Sequence, residues 1–187
     1  MPRKAKIAAD TDVYTFSYLF IASQEMLIRA KEDEGGRFYS CMATQLFSAF
    51  CLEAYLNHLG AEIFPFWGDI ERKLGPSEKL QLISHQIGLR PNFGTRPFQS
   101  FKEIFQLRNS LAHGKTEHVK EENEQILYEE DPKLPTAKWK TMINLDMAIK
   151  FNDDVLAIID TIHKKSGSKH HPLYTPEASR WSEQIIE

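Results

Sequence analysis

The 187-residue sequence is short of several things, and each shortage closes off a class of function. It has two cysteines, Cys41 and Cys51. Ten positions apart on one helix, they would sit about 15 Å from each other, too far for a disulfide. The opening MPRKAKIAAD is basic but lacks the apolar core of a signal peptide. Free thiols without a leader create the expectation of a cytoplasmic protein. No apolar run approaches the roughly 18 residues of a membrane span, so no membrane partner is expected. Glycine-rich phosphate loops, zinc-ligand spacings, serine elbows and paired-carboxylate motifs are missing, which leaves no cofactor to expect. His170 and His171 have no cysteine or carboxylate beside them and read as surface, so no metal site is expected either. Repeats of 20–50 residues are absent, and strand signals are few.

What the chain does have is apolar side chains. Hydrophobic residues make up 42% of it and twelve are phenylalanine, enough for one sizeable core. The length suits a single domain, read as residues 1–167 with a tail over 168–187. A net charge of −3 excludes a protein that coats nucleic acid over its whole surface. The charge is nonetheless uneven. Arg90, Arg96, Lys102, Arg108 and Lys115 face Glu103 alone between Gly88 and Thr116, whereas Glu117–Asp131 holds seven carboxylates against Lys120. A basic field of that kind attracts a phosphate backbone. The acidic stretch reads as a solvated loop, or as a screen over the basic field.

Helical periodicity dominates the chain. A first helix is expected from about Asp12 to Glu34, capped by Asp10, Thr11 or Asp12 and ended by Gly35-Gly36. A second, near Phe38–Leu59, is apolar nearly all round and belongs in the middle of a bundle. Glu53 stands out on it, because a buried carboxylate needs a partner. Asn57 and His58 fall one turn later, either lining a groove or ending the helix before Gly60. A helical turn or two follows Pro65, then a helix opened by Pro76-Ser77, with Ser77 as its cap, and stopped by Gly88. Leu89–Arg96 is loop by its Pro, Asn and Gly content. A single long helix is expected near Thr136–Lys165, ended by Lys164, Lys165 and Gly167. A short helical stretch is expected after Pro176, with Trp181 and Ile185 as apolar residues of a partner arm. Four to five long helices with shorter ones make an all-α bundle.

Phe101–Lys115, FKEIFQLRNSLAHGK, is the stretch that carries chemistry. Arg108 follows Phe101 and Phe105 on the inward stripe, where a charge is costly unless paired. Glu53 is the expected partner, joining the two central helices. Asn109 and His113 are four apart and share a face. Arg108 and His113 are five apart, which an ideal helix separates by about 140°. Two readings stay open on spacing alone. Arg108 anchors an ion pair while His113 sits at a favourable helix C-terminus, or both approach one anion where the helix ends at His113-Gly114.

LRNSLAHG, with FQSFKEIFQ before it and EAYLNHLG upstream, resembles the signature of the HEPN superfamily over roughly residues 38–115. The resemblance implies a HEPN-like bundle in which Arg108, Asn109 and His113 are catalytic; Glu53, as the expected partner of Arg108, and Lys115 are expected to support them, and Arg90, Arg96 and Lys102 of the basic field to bind RNA. It implies metal-independent RNA cleavage, in which the ribose 2′-hydroxyl attacks its own 3′-phosphate and leaves a cyclic phosphate and a 5′-hydroxyl. It also implies a homodimer through the motif helix that brings two motifs to one cleft, and a toxin or phage-defence role with an antitoxin or regulatory partner. One position departs from a toxin subgroup: Lys115 stands where that subgroup carries a modifiable tyrosine. A non-catalytic RNA- or nucleotide-binding module and a helical interaction domain are the competing readings.

Overall fold

The computed structural model describes residues 4–122, 134–168 and 172–185. In chain order the elements are β1 (Ala5–Val13), α1 (Thr15–Glu32), α2 (Arg37–Ile63), α3 (Trp67–Ile70), α4 (Pro76–Gln86), α5 (Gln99–Ala112), α6 (Lys138–Thr141), α7 (Leu145–Ser166), a 3-10 turn at Pro172–Tyr174 and β2 (Glu177–Ile185). The fold is mostly helical, with five helices of eleven residues or more among those described. It departs from an all-α architecture in one respect: β1 and β2 form a two-stranded antiparallel sheet.

Helix α2 is the axis of the bundle. Packed against α1, α7, α4 and α5, it buries Cys51, Leu52, Leu56 and Leu59 at its centre. Its buried face also carries Thr44, Gln45 and Ser48, so the middle of the bundle is partly polar. Gln45 Nε2 donates to the Met142 carbonyl at 2.9 Å while its Oε1 has no partner among the described residues, and a network joins Thr44 and Ser48 to the neighbouring helices. Ser23 Oγ donates to the Thr44 carbonyl at 3.1 Å and lies 2.8 Å from Ser48 Oγ. Asn152 Nδ2 donates to Ser23 at 2.8 Å, and Gln24 donates to Asn152 Oδ1 at 2.8 Å. These bonds tie α1, α2 and α7 into one register, since a buried polar group left unpaired is costly. Burial raises the Cys51 and Cys41 thiols above their ordinary range, with Arg37 partly opposing the shift at Cys41.

Several boundaries differ from the sequence expectation. The first helix begins at Thr15, not near Asp12, and its N-cap is Tyr14 without a side-chain cap bond. Residues 5–13 are instead paired with β2. The short helix expected after Pro176 is likewise strand, with Trp181 opposite Ala9 and Ile185 opposite Ala5. Pairing between segments about 170 positions apart overrides their weak local preferences. Helix α2 runs on past Gly60 to Ile63. A Cβ at Gly60 would lie 2.3 Å from the Trp67 indole, so the glycine makes room for α3 rather than ending α2. Pro76 takes the first position of α4 after a Gly75 N-cap, which displaces Ser77 from the capping role. The expected Thr136–Lys165 helix is two: α6 ends at Thr141, and Asn144 starts α7 afresh by accepting from the Met147 N–H at 2.9 Å. Gly167 closes α7 in the left-handed conformation with φ 72°, as its position suggests.

Candidate functional site

Helix α5 is strapped to the bundle at three levels. At its start, Asp154 of α7 accepts from Arg96 Nε at 2.9 and 3.0 Å, from Arg96 Nη2 at 2.9 Å, and from the Ser100 hydroxyl. In the middle, Lys150 meets Glu103 at 2.7 Å. Near its end, Arg108 Nη2 donates to Glu53 Oε2 at 2.5 Å, the pair expected between the two central helices. Phe101, Ile104, Phe105 and Leu107 fill the space between these straps.

The Glu53–Arg108 pair has a third member. Lys79 of α4 places its ammonium 3.6 Å from Glu53 Oε1 with its side chain only 6% exposed. Arg108 is 16% exposed and Glu53 26%. Two cations thus share one carboxylate in a half-buried position. The guanidinium also lies over the Phe105 ring, 5.4 Å from its centroid. Arg108 Nε is buried and has no hydrogen-bond partner among the described residues. The cluster therefore holds an excess positive charge and one unused N–H donor.

Asn109 and His113 stand on the outer side of the same helix. Both are exposed, and His113 is the C-cap residue, its N–H donating to the Asn109 carbonyl at 3.0 Å. Asn109 lines a cleft of about 460 Å³ with Gln106, Ser110, Glu117, Lys138, Trp139 and Met142. Within one chain, Arg108 turns toward Glu53 while Asn109 and His113 face outward. That is the separation the five-residue spacing implies. Gly114 follows His113 without a positive φ.

The other basic residues scatter. Lys102 is exposed on α5, Arg90 is exposed in the loop before it, and Lys115 is exposed in the irregular segment after it. Arg96 is half exposed but committed to Asp154. Asn57 and His58 lie well inside α2 and line a separate pocket of about 390 Å³ with Ala54 and residues 13–16. There the His58 ring packs on Phe16 at 4.9 Å and Nε2 lies 3.4 Å from Glu62. No cluster of potential metal ligands occurs among the described residues, while His170 and His171 lie outside them, as does the acidic stretch from 123 onward. No described helix is long and apolar enough to cross a membrane.

Sequence reasoning missed Lys79, Asp154 and Ser100. Asp154 had a readable signal: it lies three residues after Phe151 and four before Ile158, within an apolar stripe. Lys79 had a weaker one, sharing the face of Ile83 one turn on.

No family model, curated protein or solved structure matches this chain.

Proposed function

We propose that this protein is a metal-independent endoribonuclease of HEPN type, working as a dimer. One observation carries the reading. The Glu53 cluster holds Arg108 and Lys79 against a single carboxylate, with a buried guanidinium N–H unused, on the helix whose exposed end bears Asn109 and His113. Excess positive charge of limited exposure favours an anion, and a phosphodiester is the anion that gives an adjacent imidazole something to do. Histidine exchanges a proton near neutral pH, so His113 takes the 2′-hydroxyl proton or returns one to the departing 5′-oxygen. Asn109 holds the phosphate or the imidazole. The charge that builds on the phosphorane is met by Arg108, which Glu53 orients. DNA lacks the nucleophile and is spared. Because Arg108 and His113 of one chain face apart, the working site pairs Arg108 of one copy with His113 of another.

A second reading, a non-catalytic helical module with an RNA- or partner-binding surface, is favoured by the same pair seen differently. An arginine bonded to Glu53 and laid on Phe105 already has a structural task.

Incubation of purified protein with mixed RNA in EDTA separates the two. The nuclease reading requires cleavage by wild type, cyclic-phosphate ends, and no cleavage by His113→Ala. Intact RNA that nevertheless binds selects the module. RNA that is ignored, with Arg108→Ala merely less stable, leaves the arginine as a brace alone.

A further inference from the structure

The β1–β2 ribbon stands apart from the bundle's core. Every residue of β1 from Lys6 onward is exposed, and so is all of β2. Two strands alone are marginal in water, and among the described residues both of these carry a free edge.

The hydrogen-bond phase fixes which backbone groups that edge presents. Tyr14 N–H donates to the Pro176 carbonyl at 2.8 Å, and these two residues continue the register in which Val13 opposes Glu177. Bonded pairs alternate in an antiparallel ladder, so Asp12, Asp10, Ala8 and Lys6 bond inward to β2. Thr11 and Ser179 behave as a non-bonded pair should, their hydroxyls meeting at 3.0 Å. The odd-numbered residues of β1 therefore turn their N–H and C=O groups outward.

Charge is arranged along the same edge. Lys4 and Lys6 lie at its beginning, Asp10 and Asp12 toward its end. A strand with that gradient is complementary to its own reverse. Antiparallel pairing with a second β1 about Ala9 places Lys6 opposite Asp12 of the other copy, twice over, where the exposed Asp12 carboxylate, 3.6 Å from Arg180 of its own ribbon, gains a second cation. It sets Ile7 against Thr11 and Ala5 against Val13, covering side chains now in solvent. Ala9 is an outward-bonding residue, so the two-fold axis falls on a bonded pair and the ladder closes. By contrast, β2 reversed on itself about Trp181 sets Glu177 opposite Ile185 and Arg180 opposite Ser182, with no opposite charges meeting. Pairing β1 with a second β2 is head-to-tail and does not close.

We propose that the outer edge of β1 is a self-association surface, taking β1 of a second copy to make a continuous four-stranded antiparallel sheet. This surface is separate from α5 and does not depend on the nuclease reading. Sedimentation at micromolar concentration should give a dimer for the full chain. Ala9→Pro removes an outward donor without touching the β1–β2 bonds and should yield monomer with unchanged helicity. Lys6→Asp should weaken the dimer at least tenfold, and adding Asp12→Lys to it should restore association. The last pair keeps the test valid if the proline disturbs the ribbon. A wild type that stays monomeric, or a dimer indifferent to both Lys6→Asp and the double exchange, overturns the proposal. In the latter case the contact lies elsewhere, α5 included.

Discussion

Two carboxylates anchor α5, one at each end, and they are used differently. At the start, Asp154 is 5% exposed and meets one half-exposed arginine and one buried serine hydroxyl. Its charge is balanced one to one. At the other end, Glu53 is 26% exposed and faces two cations, both more buried than itself. There the balance is two to one, and Arg108 Nε is left without a partner among the described residues. A closed cluster of the first kind is what a structural strap requires. The second kind costs desolvation of an extra charge that stability alone does not repay, which is the physical case for an anion at that end.

The largest expected effect is on chemistry. His113 is exposed and, among the described residues, bonds only through its backbone to Asn109, so His113→Ala should leave the melting temperature unchanged. RNA cleavage should fall by about 10²–10⁴, the usual worth of a positioned acid–base group. Asp154→Asn, at the closed cluster, should keep cleavage wherever it stays folded. Comparable losses in both variants, scored at a temperature where both are folded, would erase the distinction between the two ends.

Next in size is Glu53→Ala, which leaves Arg108 and Lys79 side by side without a counter-charge. Removing one partner from a buried pair costs roughly 3–5 kcal/mol, and the partial exposure here lowers the expectation to about 2–3 kcal/mol. Urea unfolding measures it. Arg108→Met, which keeps the stem over Phe105, should cost much less, because it removes the buried charge together with its need for a partner. A larger loss for Arg108→Met than for Glu53→Ala would mean that the cluster is attractive overall and carries no excess.

Asp154→Ala should cost about 1–3 kcal/mol in the same assay, chiefly for the buried Ser100 hydroxyl it strands. Arg96 is half exposed and returns to water, so its share is small. The freed guanidinium gains no anion from this change by itself, so RNA binding should stay as it was.

The sequence made some of this readable and hid the rest for identifiable reasons. Five long helices were legible because their apolar residues repeat at helical spacing over many turns. The Glu53–Arg108 pair was legible because each charge interrupts an apolar stripe, and two such interruptions look for each other. Lys79 was not, since a lysine near a helix start is ordinary and only the fold brings it to Glu53. The break before α7 was signalled by Asn144, a good N-cap, but an unbroken apolar pattern on both sides masked it. Strands β1 and β2 were hidden most deeply. AKIAADTDV and EASRWSEQI have little strand character, are exposed on both faces, and define each other only through pairing across the whole chain.

Among the charged groups of the two clusters, the smallest change in stability should come from Lys79→Met, and it tests the comparison most sharply. The methionine keeps an apolar stem in a site where the lysine side chain is 6% exposed, and the ion pair it loses is a long one at 3.6 Å. The stability change should stay within about 1 kcal/mol of zero, because the energy of burying the ammonium is recovered when the contact is lost. What should change is the attraction for an anion. With Lys79 gone, Arg108 and Glu53 balance one to one, as Arg96 and Asp154 do. If the excess charge is what draws a phosphate, RNA should bind several-fold more weakly. The slope of log affinity against log salt should also become shallower by about 0.7, the share of one phosphate contact on a single strand. An unchanged slope would leave the two ends of α5 electrically equivalent toward RNA, and the case for an anion beside Arg108 would fall with it.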